Sequence, residues 1–149
     1  MTWTPHATVA VIVEDQNGRY LLVEELSDGK VVLNQPAGHV EEDEKILDAA
    51  RREALEETGW EVELQNFLGL YTYKAPSNGV TYYRLCFSAQ AIRKLTEELD
   101  DGIIAAHWLT LDQIRQQPEK LRSPLVLQCI EDYRNGRRFP LDAITEAKT

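Results

Sequence analysis

Residues 38–60 read GHVEEDEKILDAARREALEETGW, and the reading of the whole chain turns on this stretch. From Glu44 to Thr58 it holds strong helix formers, with Leu47, Ala50 and Ala54 on one stripe and Gly59 placed as the C′ residue that ends the helix. Glu53, Glu56 and Glu57 stand at i, i+3 and i+4, so at ~100° per residue the three carboxylates fall within an arc of roughly 100°. Like charges at that spacing destabilise an isolated helix by about 0.2–0.5 kcal/mol per pair. Glu53 and Glu57 also lie about 80–120° from the apolar stripe, which predicts partial burial and stronger repulsion unless something cancels it. A hard divalent cation, Mg²⁺ or Mn²⁺, is the natural partner of such a face. Arg52 can pair with Glu56 one turn on, or reach an acid in the loop before the helix. Upstream, Gly38 lacks a Cβ, so its backbone can come close to a ligand, and a loop feeding a helix N-terminus is a candidate wall for a phosphate.

The charge of the chain is concentrated around the same stretch. The 149 residues carry 25 acids and 16 bases, a formal net charge of −9. Residues 41–63 hold ten acids against three bases, and Glu97, Glu98, Asp100 and Asp101 form a second cluster with no base inside it; the rest of the chain is at +2. This balance argues against nucleic acid and anionic membrane surfaces as partners, because both demand a basic footprint. The C-terminal Arg134, Arg137 and Arg138 are too few for an oligonucleotide channel. No apolar run approaches a membrane span, and the N-terminal MTWTPHATVAV lacks the basic start and long apolar core of a signal peptide. Cys86 and Cys129 sit in apolar contexts without metal-ligand spacing and read as reduced core thiols of a cytoplasmic protein. The length suits one domain, residues 1–149, able to bury roughly 70% of its unfolded surface.

Outward from the helix, strand patterns cover His6–Glu14, Tyr20–Leu26, Val31–Leu33, Trp60–Tyr73, Thr81–Ile92 and Ile103–Leu109, with turns at Asp15–Gly18, Ser27–Gly29 and Pro76–Gly79. Asn34-Gln35-Pro36-Ala37-Gly38 breaks the strand pattern. Leu111–Gln117 and Pro124–Arg134 read as further helices. Strands and helices alternate loosely with several hairpins, so the fold class is α/β, a mixed sheet flanked by helices.

Gly38, five residues, Glu44, seven residues, then Arg52-Glu53-Ala54-Leu55-Glu56-Glu57-Thr58-Gly59-Trp60 resembles the signature box of the Nudix hydrolases, with every fixed polar and glycine position met over residues 38–60. Ala54 and Trp60 depart from the usual aliphatic residues at two packing positions. The resemblance implies an α/β/α fold with a mixed sheet sandwiched between helices, and hydrolysis of a diphosphate joined to another group. It further implies that Glu53, Glu56 and Glu57 ligate Mg²⁺, with Mn²⁺ a possible substitute, and that one of the three serves as base. By the same resemblance, Arg52 and Glu44 would form an orienting salt bridge and Gly38 would supply a backbone ligand. Many members take one more ligand from a loop before a late strand; the acidic loop stands there, with Glu98 and Asp101 as candidates. A ligand sensor of the same fold would have lost box carboxylates, and none is missing here.

Beyond the box, Asn34-Gln35-Pro36-Ala37-Gly38-His39, Arg122-Ser123-Pro124-Leu125-Val126 and Asp132–Leu141 resemble a narrower set of bacterial phosphatases in that family. That resemblance spans about residues 5–145. It implies small-molecule substrates: thiamine or hydroxymethylpyrimidine diphosphate, or nucleoside di- and triphosphates. The alternative is a nucleoside triphosphate pyrophosphohydrolase that releases pyrophosphate. Leu33 stands where that set leads one to expect a tryptophan, so an aromatic platform for a substrate ring has to come from Trp3, Tyr71, Tyr73, Tyr82 or Tyr83. Tyr71 and Tyr73 share one strand face, as do Tyr82 and Arg84. Arg84 can grip a phosphate or enter an ion pair. Asn34, Tyr73, Tyr82, Arg84 and Arg122 are the candidate substrate contacts, although Arg122-Ser123 also reads as a helix cap. His6, His39 and His107 show no metal spacing. With no apolar stripe left over, a monomer is expected.

Overall fold

The computed structural model describes residues 2–148. The order is β1 (His6–Val13), β2 (Arg19–Ser27), β3 (Lys30–Asn34), β4 (Ala37–His39), α1 (Ile46–Thr58), β5 (Trp60–Lys74), β6 (Thr81–Lys94), β7 (Ile103–Thr110), α2 (Leu111–Arg115) and α3 (Leu125–Arg134). Short 3₁₀ turns follow at Pro118–Lys120 and Leu141–Ala143.

The strands form two sheets. One is mixed, in the order β4-β1-β6-β5, with β1 and β6 parallel; the other is antiparallel, in the order β3-β2-β7. Strand β1 shows why helices cover both sides. Its alternation sends Val9, Val11 and Val13 into one core, with Ala49, Ala50 and Ala54 of α1, Val62, Leu64 and Phe87. Ala10 and Ile12 point the other way, into a core closed by Ile114 of α2 and Cys129 and Ile130 of α3. A strand buried on both faces carries a continuous apolar run, as Val9–Val13 does. The three alanines let α1 lie close to the sheet.

The segment read as a strand break is the crossing between the sheets. Strand β3 ends at Asn34 in one sheet, and three residues later β4 pairs with β1 in the other. Pro36 lends no N–H to a ladder, and its carbonyl instead accepts from Val11 N at 3.0 Å. Helix α1 starts two residues later than the helix formers suggest. Glu44 stays outside because its carboxylate faces back to accept from Glu41 N, 3.0 Å. The first helical amide, Ile46 N, donates to the Glu146 carboxylate at 2.7 Å, so the C-terminal tail caps the helix. The start of α1 is therefore no phosphate wall: a carboxylate already occupies it.

Gly59 closes α1 at φ 78°, its N–H bonded to Leu55 O, and a Cβ there would overlap the Thr96 carbonyl. Gly59→Ala is expected to cost about 1–3 kcal/mol, read as a fall in melting temperature; an unchanged melt would contradict it. Among the described residues, no helix is long and apolar enough to cross a membrane.

Candidate active site

Helix α1 places its three glutamates against the β3–β4 crossing. Glu53 and Glu57 are buried, 9% and 8% exposed, as their position beside the apolar stripe predicts. Glu53 packs so tightly against Gly38 that any Cβ at position 38 would overlap its carboxylate. Glu57 accepts from Ala37 N at 2.9 Å. Glycine at 38 thus leaves the room that the Glu53 carboxylate occupies, and the short strand β4 runs directly over two acidic groups.

Arg52 organises this cluster. Its Nε and Nη2 donate to the two oxygens of Glu44 at 2.6 and 2.9 Å, and Nη2 also reaches His39 O at 3.0 Å, tying the 39–44 loop to the helix. Its Nη1 donates to Glu53 at 2.8 Å and Glu56 at 3.1 Å. These bonds, that to Glu44 foremost, hold the guanidinium protonated and the Glu44 carboxyl below its ordinary range. Glu53 is raised, because burial outweighs Arg52. Glu56 is raised by desolvation and by Asp100. Glu57, enclosed and near Glu25 and Glu53, is pushed up to about 9, mainly by burial. Two of the three helix glutamates, Glu53 and Glu56, thus share one guanidinium with Glu44, while burial holds the third, Glu57, toward its neutral form. Among the described residues no three His, Cys, Asp or Glu side chains converge on one point as they stand; Arg52 Nη1 bridges Glu53 and Glu56, and Glu57 turns to Ala37. In kind, the donor set is an all-oxygen one of the type that hard divalent cations take, and its excess negative charge is what such an ion offsets.

Beside the same crossing lies a cavity of about 200 Å³ reached by Asn34, Gly38, His39, Tyr73, Tyr82, Arg84 and Arg122. Every candidate substrate contact read from the sequence lines it. Tyr73 and Tyr82 are directly opposed across β5 and β6, so both reach one side of it. The other platform candidates do not. Tyr71 is buried, its hydroxyl donating to Asp132 of α3 at 2.8 Å. Trp3 packs edge-on against Tyr83 at 6.2 Å, away from the cavity. Leu33 is 4% exposed in the core, so a side chain at 33 faces the packed interior and not the cavity. Among the described residues Arg84 has no ion-pair partner. It is 8% exposed and donates to Gln35 Oε1 at 2.8 Å and Asn34 Oδ1 at 3.0 Å. Arg122 pairs with Glu25 at 2.6 Å, and Ser123 Oγ accepts from Leu125 N, so the predicted capping and a cavity position coexist.

Several residues of this region escaped the sequence reading. In the acidic loop, Asp100 is the acid whose charge bears on Glu53 and Glu56; its own amide donates to Glu56 O at 3.0 Å and pins the loop to the helix. Glu25 is 7% exposed and bears on Glu57; an acid continuing the inward Leu21–Val23 series was its one signal. Gln35, 1% exposed, orients Arg84. His6 Nδ1 and His39 Nε2 lie 3.0 Å apart, joined by the β1–β4 pairing across 33 residues. Burial, foremost, and His6 lower the His39 pKa.

Comparison with known proteins settles the family. The family model of the NUDIX domain matches residues 4–128. The chain belongs to the Nudix family. As a Nudix hydrolase it acts on phosphorus-containing anhydrides. It is 39% identical over 141 residues to phosphatase NudJ of Escherichia coli K12, covering 94% of this chain and 90% of that one. A Nudix hydrolase structure from Nitrosomonas europaea is 44% identical with a TM-score of 0.93, covering 97% of this chain and 98% of that one. The crystal structure of a UDP-X diphosphatase shares the fold at 18% identity and a TM-score of 0.73, covering 93% of this chain and 67% of that one.

Proposed function

We propose that this single Nudix domain is a Mg²⁺-dependent hydrolase of small-molecule diphosphates, thiamine- or hydroxymethylpyrimidine-type or nucleoside di- and triphosphates. The observation that carries this is the position of Gly38 on β4, which has the Glu53 carboxylate of α1 against it and also lines the cavity of Arg84, Tyr73 and Tyr82. The diphosphate lies over the carboxylates while its organic half enters the cavity. Glu53, Glu56, Glu57 and the Gly38 carbonyl would hold Mg²⁺, with Mn²⁺ as a substitute; when bound, the ion neutralises the diphosphate and lowers the pKa of the attacking water. Arg52, fixed by Glu44, keeps the helix and the 39–44 loop in register. One of the three glutamates accepts the proton that the attacking water gives up. Arg122, steadied by Glu25, and Asn34 and Arg84 position the organic half. The cavity is below the roughly 300–1,000 Å³ of sites for drug-sized ligands, which suits a ring-sized group.

Arg134, Arg137 and Arg138 turn to the protein's own aromatics. Arg134 donates to Tyr20 and Arg137 lies over Tyr71, while Arg138 stacks on Tyr133 at 4.0 Å. This fits a protein that binds no nucleic acid, and we take it to act as a cytoplasmic monomer. A substrate panel with product analysis tests the reading. Inorganic phosphate is expected from pyrimidine, thiamine and nucleoside diphosphates. Pyrophosphate released from triphosphates alone would favour the pyrophosphohydrolase alternative and contradict the proposal.

A further inference from the structure

We infer that the cavity selects an uncharged heteroaromatic ring with a hydrogen-bond-accepting edge, and discriminates against a cationic ring such as thiazolium. The inference rests on the diphosphate-hydrolase reading and narrows its substrate class. Its ground is the state of Arg84. A guanidinium 8% exposed is costly to bury without an opposite charge, and among the described residues no carboxylate lies within ion-pair distance of it. What holds Arg84 instead are two neutral amide oxygens, Gln35 Oε1 and Asn34 Oδ1.

Those two bonds also fix which way the amides face. Gln35 donates from Nε2 to Val126 O, so its polar atoms are spent. Asn34 has its oxygen committed to Arg84, and its Nδ2 meets no protein acceptor among the described residues although Asn34 lines the cavity. At this end of the cavity Arg84 and the Asn34 amide offer donors and positive charge, while neutral hydroxyls such as those of Thr8, Tyr73 and Tyr82 line the rest. Arg122 adds a second guanidinium, compensated by Glu25. The carboxylate that lines the space, Asp28, sits exposed on the β2–β3 turn at the rim. The opposed Tyr73 and Tyr82 supply faces and edges for a flat ring above that end. A ring nitrogen or carbonyl oxygen satisfies Asn34 and Arg84 together. A cationic ring leaves both unsatisfied and meets the uncompensated charge of Arg84 at close range.

The test compares thiamine diphosphate with its neutral isostere, in which a carbon replaces the thiazolium nitrogen, using the wild-type protein with Mg²⁺. The isostere is expected to show a kcat/KM about tenfold or more higher, expressed mainly in KM. Arg84→Gln should bring the two within about threefold of each other by removing the charge. Equal or faster hydrolysis of the cationic substrate by the wild type would overturn the inference without touching the hydrolase reading. A uniform loss on both substrates in Arg84→Gln would also overturn it, since it would place Arg84 on the diphosphate. Hydrolysis of neither substrate by the wild type overturns the inference, and overturns the hydrolase reading as well if nucleoside and hydroxymethylpyrimidine diphosphates are also left intact. The wild-type comparison decides even where the variant fails to fold.

Discussion

Glu57→Gln and Glu53→Gln are each expected to lower kcat by about 10²–10⁴-fold while leaving the fold intact. Both side chains are confined by the molecule itself: Glu53 by Gly38, and Glu57 by the amide of Ala37. A glutamine fills the same space, and at 57 its carbonyl can still accept from that amide. What the substitution removes is a negative charge in a place where negative charge is expensive. Since burial raises the carboxyls of both Glu53 and Glu57, the variants should melt no lower than the parent in EDTA, and a loss of rate cannot then be assigned to unfolding. Near-normal turnover in both variants would remove these residues from the chemistry.

The second large effect is the response to the metal, and its pH dependence has a definite sign. EDTA is expected to abolish turnover and Mg²⁺ or Mn²⁺ to restore it. Without a cation, Glu57 is pushed from its ordinary 4.5 up to about 9. A carboxyl raised in the folded state gives its full contribution to stability below the unfolded value, and that contribution is lost as pH rises through the folded value. In EDTA, Glu57 therefore costs stability progressively between about pH 4.5 and pH 9. A bound cation favours the ionised form, so the melting-temperature gain from Mg²⁺ should grow from pH 6 to pH 9 and grow less steeply in Glu57→Gln. A gain that is flat or falling with pH would contradict this.

How much of this was legible in the sequence depends on the range of each interaction. The acidic face of α1 could be read because it follows from helical period alone, and the burial of Glu53 and Glu57 follows from their angle to Leu47, Ala50 and Ala54. Gly38 could be read as a point of close approach, although its neighbour proved to be the Glu53 carboxylate itself. What could not be read was pairing. Strand patterns do not name their partners, so the split into two sheets stayed hidden, and with it the role of Asn34–Gly38 as the crossing between them. Glu25, Gln35 and Asp100 reach the site through contacts that no local period reports. The tyrosines show the same limit: Tyr71 and Tyr73 share a face by alternation, but only the position of α3 decides that Asp132 covers one and the cavity opens at the other.

On this reading the acidic face of α1 is a divalent-cation site beside a substrate cavity. Calorimetric titration with Mn²⁺ at pH 8, run on the parent, on Glu53→Gln and on Glu98→Gln, tests it most directly. Saturable binding is expected in the parent and in Glu98→Gln, weakened about 10–100-fold or lost in Glu53→Gln. Unchanged affinity in Glu53→Gln, or equal loss in both variants, would contradict it.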